Sequence, residues 1–128
     1  MGKCIPIDIR ASFERLQFLE DRTPESHGVA PETFASRLSD YRNGGVFVSH
    51  WAGRGEWERH PNGDEIVMVI EGEARVFVVQ DGEEREQLLG EGQLIVIPEN
   101  TWHRLETAEV KILTVTPRPT DHQVEFPS

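Results

Sequence analysis

The chain has 128 residues, of which 37% are hydrophobic and 28% are charged, and its formal net charge is −10 at pH 7. A chain of this length forms one domain around one core, and no apolar run approaches the roughly 18 residues of a membrane-spanning helix, so we expect no membrane partner. The 13 Lys and Arg residues are scattered along the sequence. The basic patch that neutralises nucleic-acid phosphates is therefore missing, and we expect no nucleic-acid partner.

The N-terminal sequence MGKCIPIDIR predicts a cytoplasmic protein. It lacks the apolar core of a signal peptide, and Pro6 stands where a myristoylation signal has Ser or Thr. The single cysteine, Cys4, cannot form an internal disulfide. This cysteine usage fits a reducing compartment.

Residues 1–43 are predicted to form an N-terminal arm, partly helical, that packs on the rest of the domain or on a partner. The segment ASFERLQFLED is compatible with a short helix capped by Ser12, because its apolar residues fall on one stripe. In PETFASRLSDYRNGG, Pro31 suits a first helical turn and Asn43-Gly44 suits a helix end. Both segments also tolerate an extended conformation.

From Gly44 onward, short β-rich runs alternate with Gly, Pro, Asn and Asp, a layout typical of an antiparallel sandwich or barrel. Asp81-Gly82 predicts a tight hairpin, because this pair readily takes the positive φ of a two-residue turn. We place strands at Val46–Trp51, Glu56–His60, Glu65–Ile70, Glu73–Gln80, Arg85–Leu89, Gln93–Ile97, Thr101–Glu106 and Val110–Thr116. Residues 118–128 are predicted to be an irregular C-terminal tail.

The predicted strand EIVMVIEG is apolar on both faces. Alternation places Val67 and Val69 on one side and Ile66, Met68 and Ile70 on the other. A strand with one face on a core should be polar on the other, so a further element must cover the second face. The N-terminal arm, a partner chain or both meet this need, and we expect a homodimer.

Two stretches, ERHPNGDEIVMVIEG and GEGQLIVIPENTWHRLET, resemble the two conserved motifs of the cupin superfamily. The second His, the Glu and the Gly of the first motif match His60, Glu65 and Gly72, and the Gly, Pro and His of the second match Gly92, Pro98 and His103. The two motifs are separately spaced and both in register, which makes the resemblance specific. It implies an all-β fold, a double-stranded β-helix or jelly-roll barrel, over residues 44–117.

The sequence departs from the cupin motifs at three positions. Glu58 stands where the first His is expected, Asn100 replaces a Gly and Thr107 replaces the terminal Asn. Only Glu58 bears on metal binding, because the first His is a ligand position in the motif.

The resemblance implies a divalent metal held by His60, Glu65 and His103. Glu58 and His60 are two residues apart, so on a strand they face the same way. Two imidazoles and a carboxylate with open positions suit non-haem Fe(II), and N and O ligands also suit other divalent ions. A carboxylate from Glu58 makes the ligand set harder and more negative, which favours Fe, Mn or Zn. Glu58 is either a fourth ligand or a catalytic acid or base.

The function expected from the resemblance is broad. One hypothesis is a metal-dependent enzyme that acts on a small organic molecule. The resemblance does not distinguish an oxidoreductase or isomerase from a hydrolase or lyase. The alternative is a metal-free cupin that binds a small molecule or serves as an accessory protein. In either case we expect the pocket to be lined by His50, Val67, Val69, Val76 and Val78.

Overall fold

The computed structural model describes residues 4–26 and 31–128, and most of them lie in β-strands. The helices are α1 (Ile9–Glu14), a short 3₁₀ helix (Pro24–Ser26) and α2 (Pro31–Phe34). The strands are β1 (Leu19–Arg22), β2 (Ala35–Tyr41), β3 (Gly44–Arg54), β4 (Trp57–Arg59), β5 (Glu65–Gln80), β6 (Glu83–Gly90), β7 (Leu94–Ile97), β8 (His103–Pro117) and β9 (Asp121–Gln123). The predicted all-β jelly-roll architecture is confirmed.

Strand β8 organises the sheet because it pairs antiparallel with three strands, β3, β4 and β5. Strand β5 also pairs with β7 through its first half and with β6 through its second half. Strand β3 pairs with β2 in antiparallel orientation and with β1 in parallel orientation. The short β4 lies between β8 and β9.

Strands β5 and β8 are each longer than predicted, because each joins two of the strands expected from the sequence. Their pairing shifts register twice, between Val69 and Glu71 and between Glu73 and Arg75. Gly72 lies at this bend with φ +87, and a Cβ built there would approach Glu109 O to 2.3 Å. The bend therefore requires glycine, which lets one strand cross both halves of the barrel.

The predicted hairpin at Asp81-Gly82 is confirmed. Asp81 has φ 54 and Gly82 has φ 76, and Gln80 pairs with Glu83 across the turn. Two consecutive positive φ values match the twist of a two-residue hairpin.

The helical interpretation of the N-terminal segments is wrong over most of their length. Helix α1 begins earlier than predicted, with Asp8 as its N-cap accepting from Ala11 N at 2.9 Å. Ser12 lies inside the helix, where its hydroxyl donates to Asp8 O. The chain then turns into β1, and the segment after α2 becomes β2, because pairing with β3 satisfies backbone groups that a short helix leaves open.

The C-terminal tail is more regular than predicted. Residues Asp121–Gln123 form β9 and pair antiparallel with β4, with His122 opposite Glu58. The tail thereby reaches the strand that carries part of the first motif.

The apolar core lies on the inner face of the sheet. It contains Trp51 of β3, Val67, Val69 and Val76 of β5, and Ile112 of β8, all at most 3% exposed. In the part of the chain that the structure describes, no helix is long and apolar enough to cross a membrane.

The outer face of β3 is covered by the N-terminal arm. Phe13 of α1 is 5% exposed and lies under the Lys111 ammonium at 5.9 Å, and the Phe18 ring packs on His50 with ring centroids 4.7 Å apart. The arm therefore covers β3, whereas the two-sided apolar pattern predicted a cover for β5.

Candidate metal centre

Four motif residues meet at one end of the barrel. Glu58 on β4 lies directly opposite His103 on β8, and His103 is also paired with Val78 of β5. His60 follows β4 and Glu65 begins β5. His60, Glu65 and His103 are buried, at 2%, 6% and 2% exposure, whereas Glu58 is partly exposed.

The two histidines point their Nε2 atoms at the same carboxylate oxygen. His103 Nε2 lies 2.9 Å from Glu65 Oε1 and forms a hydrogen bond with it. His60 Nε2 lies 3.3 Å from the same oxygen, but it makes no hydrogen bond within the described residues. Glu58 Oε2 is 4.0 Å from His60 Nε2. A donor set of two imidazoles and two carboxylates therefore faces one small volume.

Three threonines hold these side chains in place, and sequence reasoning did not identify them. His60 Nδ1 lies 2.9 Å from Thr120 Oγ1, and His103 Nδ1 lies 3.0 Å from Thr101 O. Thr116 Oγ1 donates to Glu65 Oε2 at 2.6 Å. Bonding at Nδ1 leaves Nε2 of each ring directed into the site, as is usual for metal-ligating histidines.

The carboxyls differ in charge state. Burial raises the pKa of Glu65, but the contacts with the two imidazole rings, above all the hydrogen bond with His103, outweigh it and lower that pKa to about 2. For Glu58, burial and the negative charge of Glu65 both raise the pKa. Burial lowers the pKa of His103, but the hydrogen bond and charge of Glu65 produce a net rise. The site therefore holds one firmly ionised carboxylate and one that protonates more readily.

The spacing of the donor atoms fits a divalent ion. With metal–ligand bonds of about 2.1 Å, adjacent octahedral ligands lie about 3.0 Å apart and opposite ligands about 4.2 Å apart. The distances of 2.9, 3.3 and 4.0 Å among the four side chains fall in this range. One ligand atom each from Glu58, His60 and His103 also lie within 4.8 Å of one another.

A cavity of about 340 Å³ opens beside these residues. Its wall includes Glu58, Glu65 and His103 together with apolar side chains, among them Trp51 and Ile112. This volume is near the lower end of small-molecule pockets, which span roughly 300–1,000 Å³.

The valines predicted to line the pocket divide into two groups. Val67 lines the cavity, whereas Val69, Val76 and Val78 belong to the buried core behind it. These three residues are buried in the core and do not form the cavity surface.

His50 does not lie where the sequence interpretation placed it. Its Nε2 is 2.7 Å from Glu109 Oε2 on the outer face of the sheet, and its ring packs on Phe18. His50 lies on the face of β3 that is covered by the N-terminal arm. Both faces of β3 are apolar, so alternation alone could not identify the inner one.

Four further charged or titratable side chains line the cavity and were missed, namely Arg22, Glu56, Arg104 and His122. Arg22 comes from β1, and His122 lies in the tail with its Nδ1 2.8 Å from Glu56 Oε1. No local pattern in the sequence marks Arg22 or His122, because the strands that carry them, β1 and β9, are recognisable only from their pairing with β3 and β4.

Comparison with known protein families identifies the fold family. A family model described as the cupin domain matches residues 47–116, which is more than half of the chain. The chain belongs to the cupin family. The domain boundaries at residues 44 and 117 remain a prediction. A comparison with curated proteins gives no match.

Several solved structures resemble this chain at low sequence identity. A cupin-2 domain protein from Shewanella frigidimarina is 24% identical, with a TM-score of 0.56, covering 66% of this chain and 79% of that one. A conserved protein of unknown function from Streptococcus pyogenes is 19% identical, with a TM-score of 0.65 and coverages of 93% and 91%. A hydroquinone 1,2-dioxygenase, solved with Cd²⁺ and 4-hydroxybenzonitrile, is 20% identical, with a TM-score of 0.58 and coverages of 65% and 63%. At these identities the likeness supports the shared fold alone.

Proposed function

We propose that this cupin binds one divalent metal ion through His60, His103 and the carboxylates of Glu58 and Glu65, and acts on a small organic molecule in the adjoining cavity. The observation that carries the proposal is the bare Nε2 of His60, which is buried and faces a carboxylate oxygen at 3.3 Å without a hydrogen bond. When Nδ1 carries the ring proton, two lone pairs face each other across this gap. A cation between them converts that repulsion into two favourable contacts.

The donor atoms favour a hard or borderline ion. The Glu58 carboxylate and the imidazoles of His60 and His103 each place a ligand atom within 4.8 Å of the others, and Glu65 Oε1 lies 3.3 Å from His60 and 2.9 Å from His103. These oxygen and nitrogen donors suit Fe(II), Mn(II) or Zn(II). A hydroquinone 1,2-dioxygenase of similar fold was solved with Cd²⁺, which is compatible with metal binding in this fold. When bound, the ion supplies Lewis acidity that polarises an oxygen atom of the small molecule.

The two carboxylates have different roles in this proposal. Glu65 is ionised and is fixed by Thr116 and His103, so it serves as a permanent ligand or anchor. Glu58 makes no side-chain hydrogen bond within the described residues, and its pKa is raised by burial and by Glu65. Its carboxyl borders the cavity, where it either completes the ligand set or exchanges a proton with the bound molecule.

The apolar wall supports chemistry on a small organic molecule. Val67 and Ile112 lie on the cavity wall beside Glu65 and His103, and both are nearly fully buried. Such a wall excludes water and strengthens electrostatic interactions near the ligands.

Elemental analysis of protein purified without chelator tests the proposal. About one ion per chain is expected in the parent, and His60→Ala and His103→Ala are expected to lose it. His50→Ala is the matched control, because His50 lies on the outer face. A parent without metal that also fails to take up Fe(II), Mn(II) or Zn(II) on titration contradicts the proposal.

A metal-free binding protein is the second candidate function. Its support is the hydrogen bond between His103 and Glu65, which satisfies both groups without an ion, together with Glu58 at a motif histidine position. Thermal-shift measurements separate the two functions. Stabilisation by small organic molecules but by no divalent ion favours the metal-free protein.

We also propose that the chain forms a homodimer through the outer face of β5 and β7. Ile66 pairs with Val96 and Met68 pairs with Leu94 across these strands, and Leu94 and Val96 are 52% and 50% exposed. Light scattering after gel filtration tests the dimer. Leu94→Asp is expected to yield monomers. Leu88→Asp, at an exposed position of β6, is the control and should remain dimeric. A monomeric parent at micromolar concentration contradicts it.

A further inference from the structure

Arg22 and Arg104 both line the cavity, but Arg104 is paired with Glu106, whereas Arg22 stands over the Trp51 ring of the cavity wall. Arg22 ends β1 and pairs with Gly53 of β3. Gly53 has φ +120, and a Cβ built there would lie 2.1 Å from Arg22 O, so glycine allows β1 to approach this closely. The local backbone is therefore shaped to bring this arginine to the cavity.

Two aromatic rings position the guanidinium. Its Cζ lies 4.4 Å from the Trp51 ring centroid and 5.6 Å from that of Phe34. On another side it borders Gly55, where a Cβ would lie 3.6 Å from Cζ and from Nη2. Stacking on a ring face holds the guanidinium plane while its N–H donors remain free at the edge.

Those donors have no fixed acceptor. Within the described residues, the Arg22 side chain makes neither a hydrogen bond nor an ion pair, although it lines the cavity and is only partly exposed. Burial lowers the pKa of Arg22, while the charges of Glu58 and Glu56 oppose that effect. A guanidinium stays protonated in proteins, so a charged group with up to five unused donors stands at the cavity wall.

Glu56 and Glu65 have other partners, whereas Glu58 makes no side-chain hydrogen bond within the described residues. Glu65 is held by His103 and Thr116, and Glu56 lies 2.8 Å from His122 Nδ1. Glu58 faces His60 in the proposed metal centre. None of these carboxylates forms a hydrogen bond or an ion pair with Arg22, and a planar carboxylate on a bound molecule matches its fork of donors.

We infer that Arg22 binds the carboxylate of a small organic acid whose apolar body fills the cavity and whose other end reaches the metal centre. The size of about 340 Å³ and the Trp51, Val67 and Ile112 walls fit an acid with a short chain or a single ring. This inference names the substrate class for the proposed function and rests on it. Arg22 is a specificity-determining residue in this account.

Calorimetric titration of the Mn²⁺-loaded protein tests the inference with two matched pairs of probes, benzoate with benzamide and hexanoate with hexanamide. Each pair keeps its shape and differs in charge. The acid of at least one pair is expected to bind roughly tenfold more tightly than its amide, the size of effect typical of a charge-assisted hydrogen-bonded pair. Arg22→Gln is expected to abolish that preference with little change in amide affinity.

Arg22→Lys and Arg75→Gln serve as the comparison variants. Lysine keeps the charge but lacks the fork of donors, so an intermediate preference is expected. Arg75 is exposed on β5, and its replacement changes net charge equally, so the preference should persist. Circular dichroism shows whether Arg22→Gln is folded. If Arg22→Gln does not fold, Arg22→Lys provides the decisive comparison.

The outcomes separate this inference from the metal proposal. Stoichiometric Mn²⁺ with no acid preference in either pair overturns the inference alone. An acid preference that Arg22→Gln and Arg22→Lys retain in full also overturns it. An Arg22-dependent preference in protein that binds no metal supports the carboxylate site and overturns the proposed metal centre.

Discussion

His60 Nε2 and Glu65 Oε1 lie 3.3 Å apart in the buried end of the barrel without forming a hydrogen bond. The opposite ring nitrogen of His60 is engaged by Thr120. When His60 Nδ1 donates to Thr120, the lone pair on Nε2 is directed at an ionised carboxylate. A divalent cation between the two atoms explains why such an arrangement is kept in a buried position.

The contact between Thr120 and His60 predicts a measurable loss of metal affinity in Thr120→Val. Valine has a similar shape but cannot accept from Nδ1, so the ring loses its fixed orientation and tautomer. Loss of such an outer partner typically weakens metal binding by about 10- to 100-fold. Competition with a fluorescent chelator measures the affinity. Thr107→Val, which removes a hydrogen bond to Glu73 O away from the site, should bind metal normally, and equal affinities in both variants would refute the role of Thr120.

Metal affinity is expected to fall as pH falls. His103 must release the proton on Nε2 before that atom can bind a metal, and its pKa is raised by Glu65. A raised pKa means that protons compete at pH values above the usual histidine midpoint of about 6.5. The apparent affinity should therefore be constant at high pH and weaken as pH falls through the raised pKa of His103. An affinity that stays constant between about pH 8 and about pH 6 would contradict this coupling.

Glu58→His restores the histidine expected in the first motif and should change metal preference. An additional imidazole softens the donor set and removes one negative charge, so the ratio of Zn(II) to Mn(II) affinity should rise, by roughly tenfold. Parallel titrations with the two ions give the ratio. Glu58→Gln is the control, because it removes the charge without adding a nitrogen ligand. A ratio unchanged by Glu58→His would mean that Glu58 does not contact the ion.

His50→Ala should destabilise the fold while leaving the metal centre intact. The substitution removes the contact with Phe18 and the hydrogen bond to Glu109, and a loss of about 1–2 kcal/mol in the free energy of unfolding is expected. Urea unfolding of the metal-free protein measures it. Phe18→Ala should cause a comparable loss from the other side of the contact. Reduced metal content in His50→Ala would place this histidine at the site after all.

The strands and the motif residues were predictable because their signals are local. Apolar β-rich runs bounded by turn residues predicted β5 and β7, and Asp81-Gly82 predicted the hairpin between β5 and β6. His60, Glu65 and His103 were found from two spacings that resemble the cupin motifs. Each of these signals depends on residues close together in the sequence.

The remaining features depend on tertiary pairing. Strands β1 and β2 read as helices because their apolar spacing suits a helix, yet the exposed edge of β3 provides hydrogen-bond partners that override it. His50 was assigned to the inner face since both faces of β3 are apolar. Arg22 and Thr120 lie outside the motifs, and only the folded chain brings them to the cavity.

Electron spin-echo spectroscopy of the Mn²⁺-loaded protein tests the metal centre most directly, because it detects nitrogen nuclei bound to the ion. The structure predicts nitrogen couplings from two imidazoles in the parent and in His50→Ala. If His60→Ala or His103→Ala retains the ion, that variant should show coupling from one imidazole. Mn²⁺ that binds stoichiometrically but shows no imidazole nitrogen coupling would contradict the account.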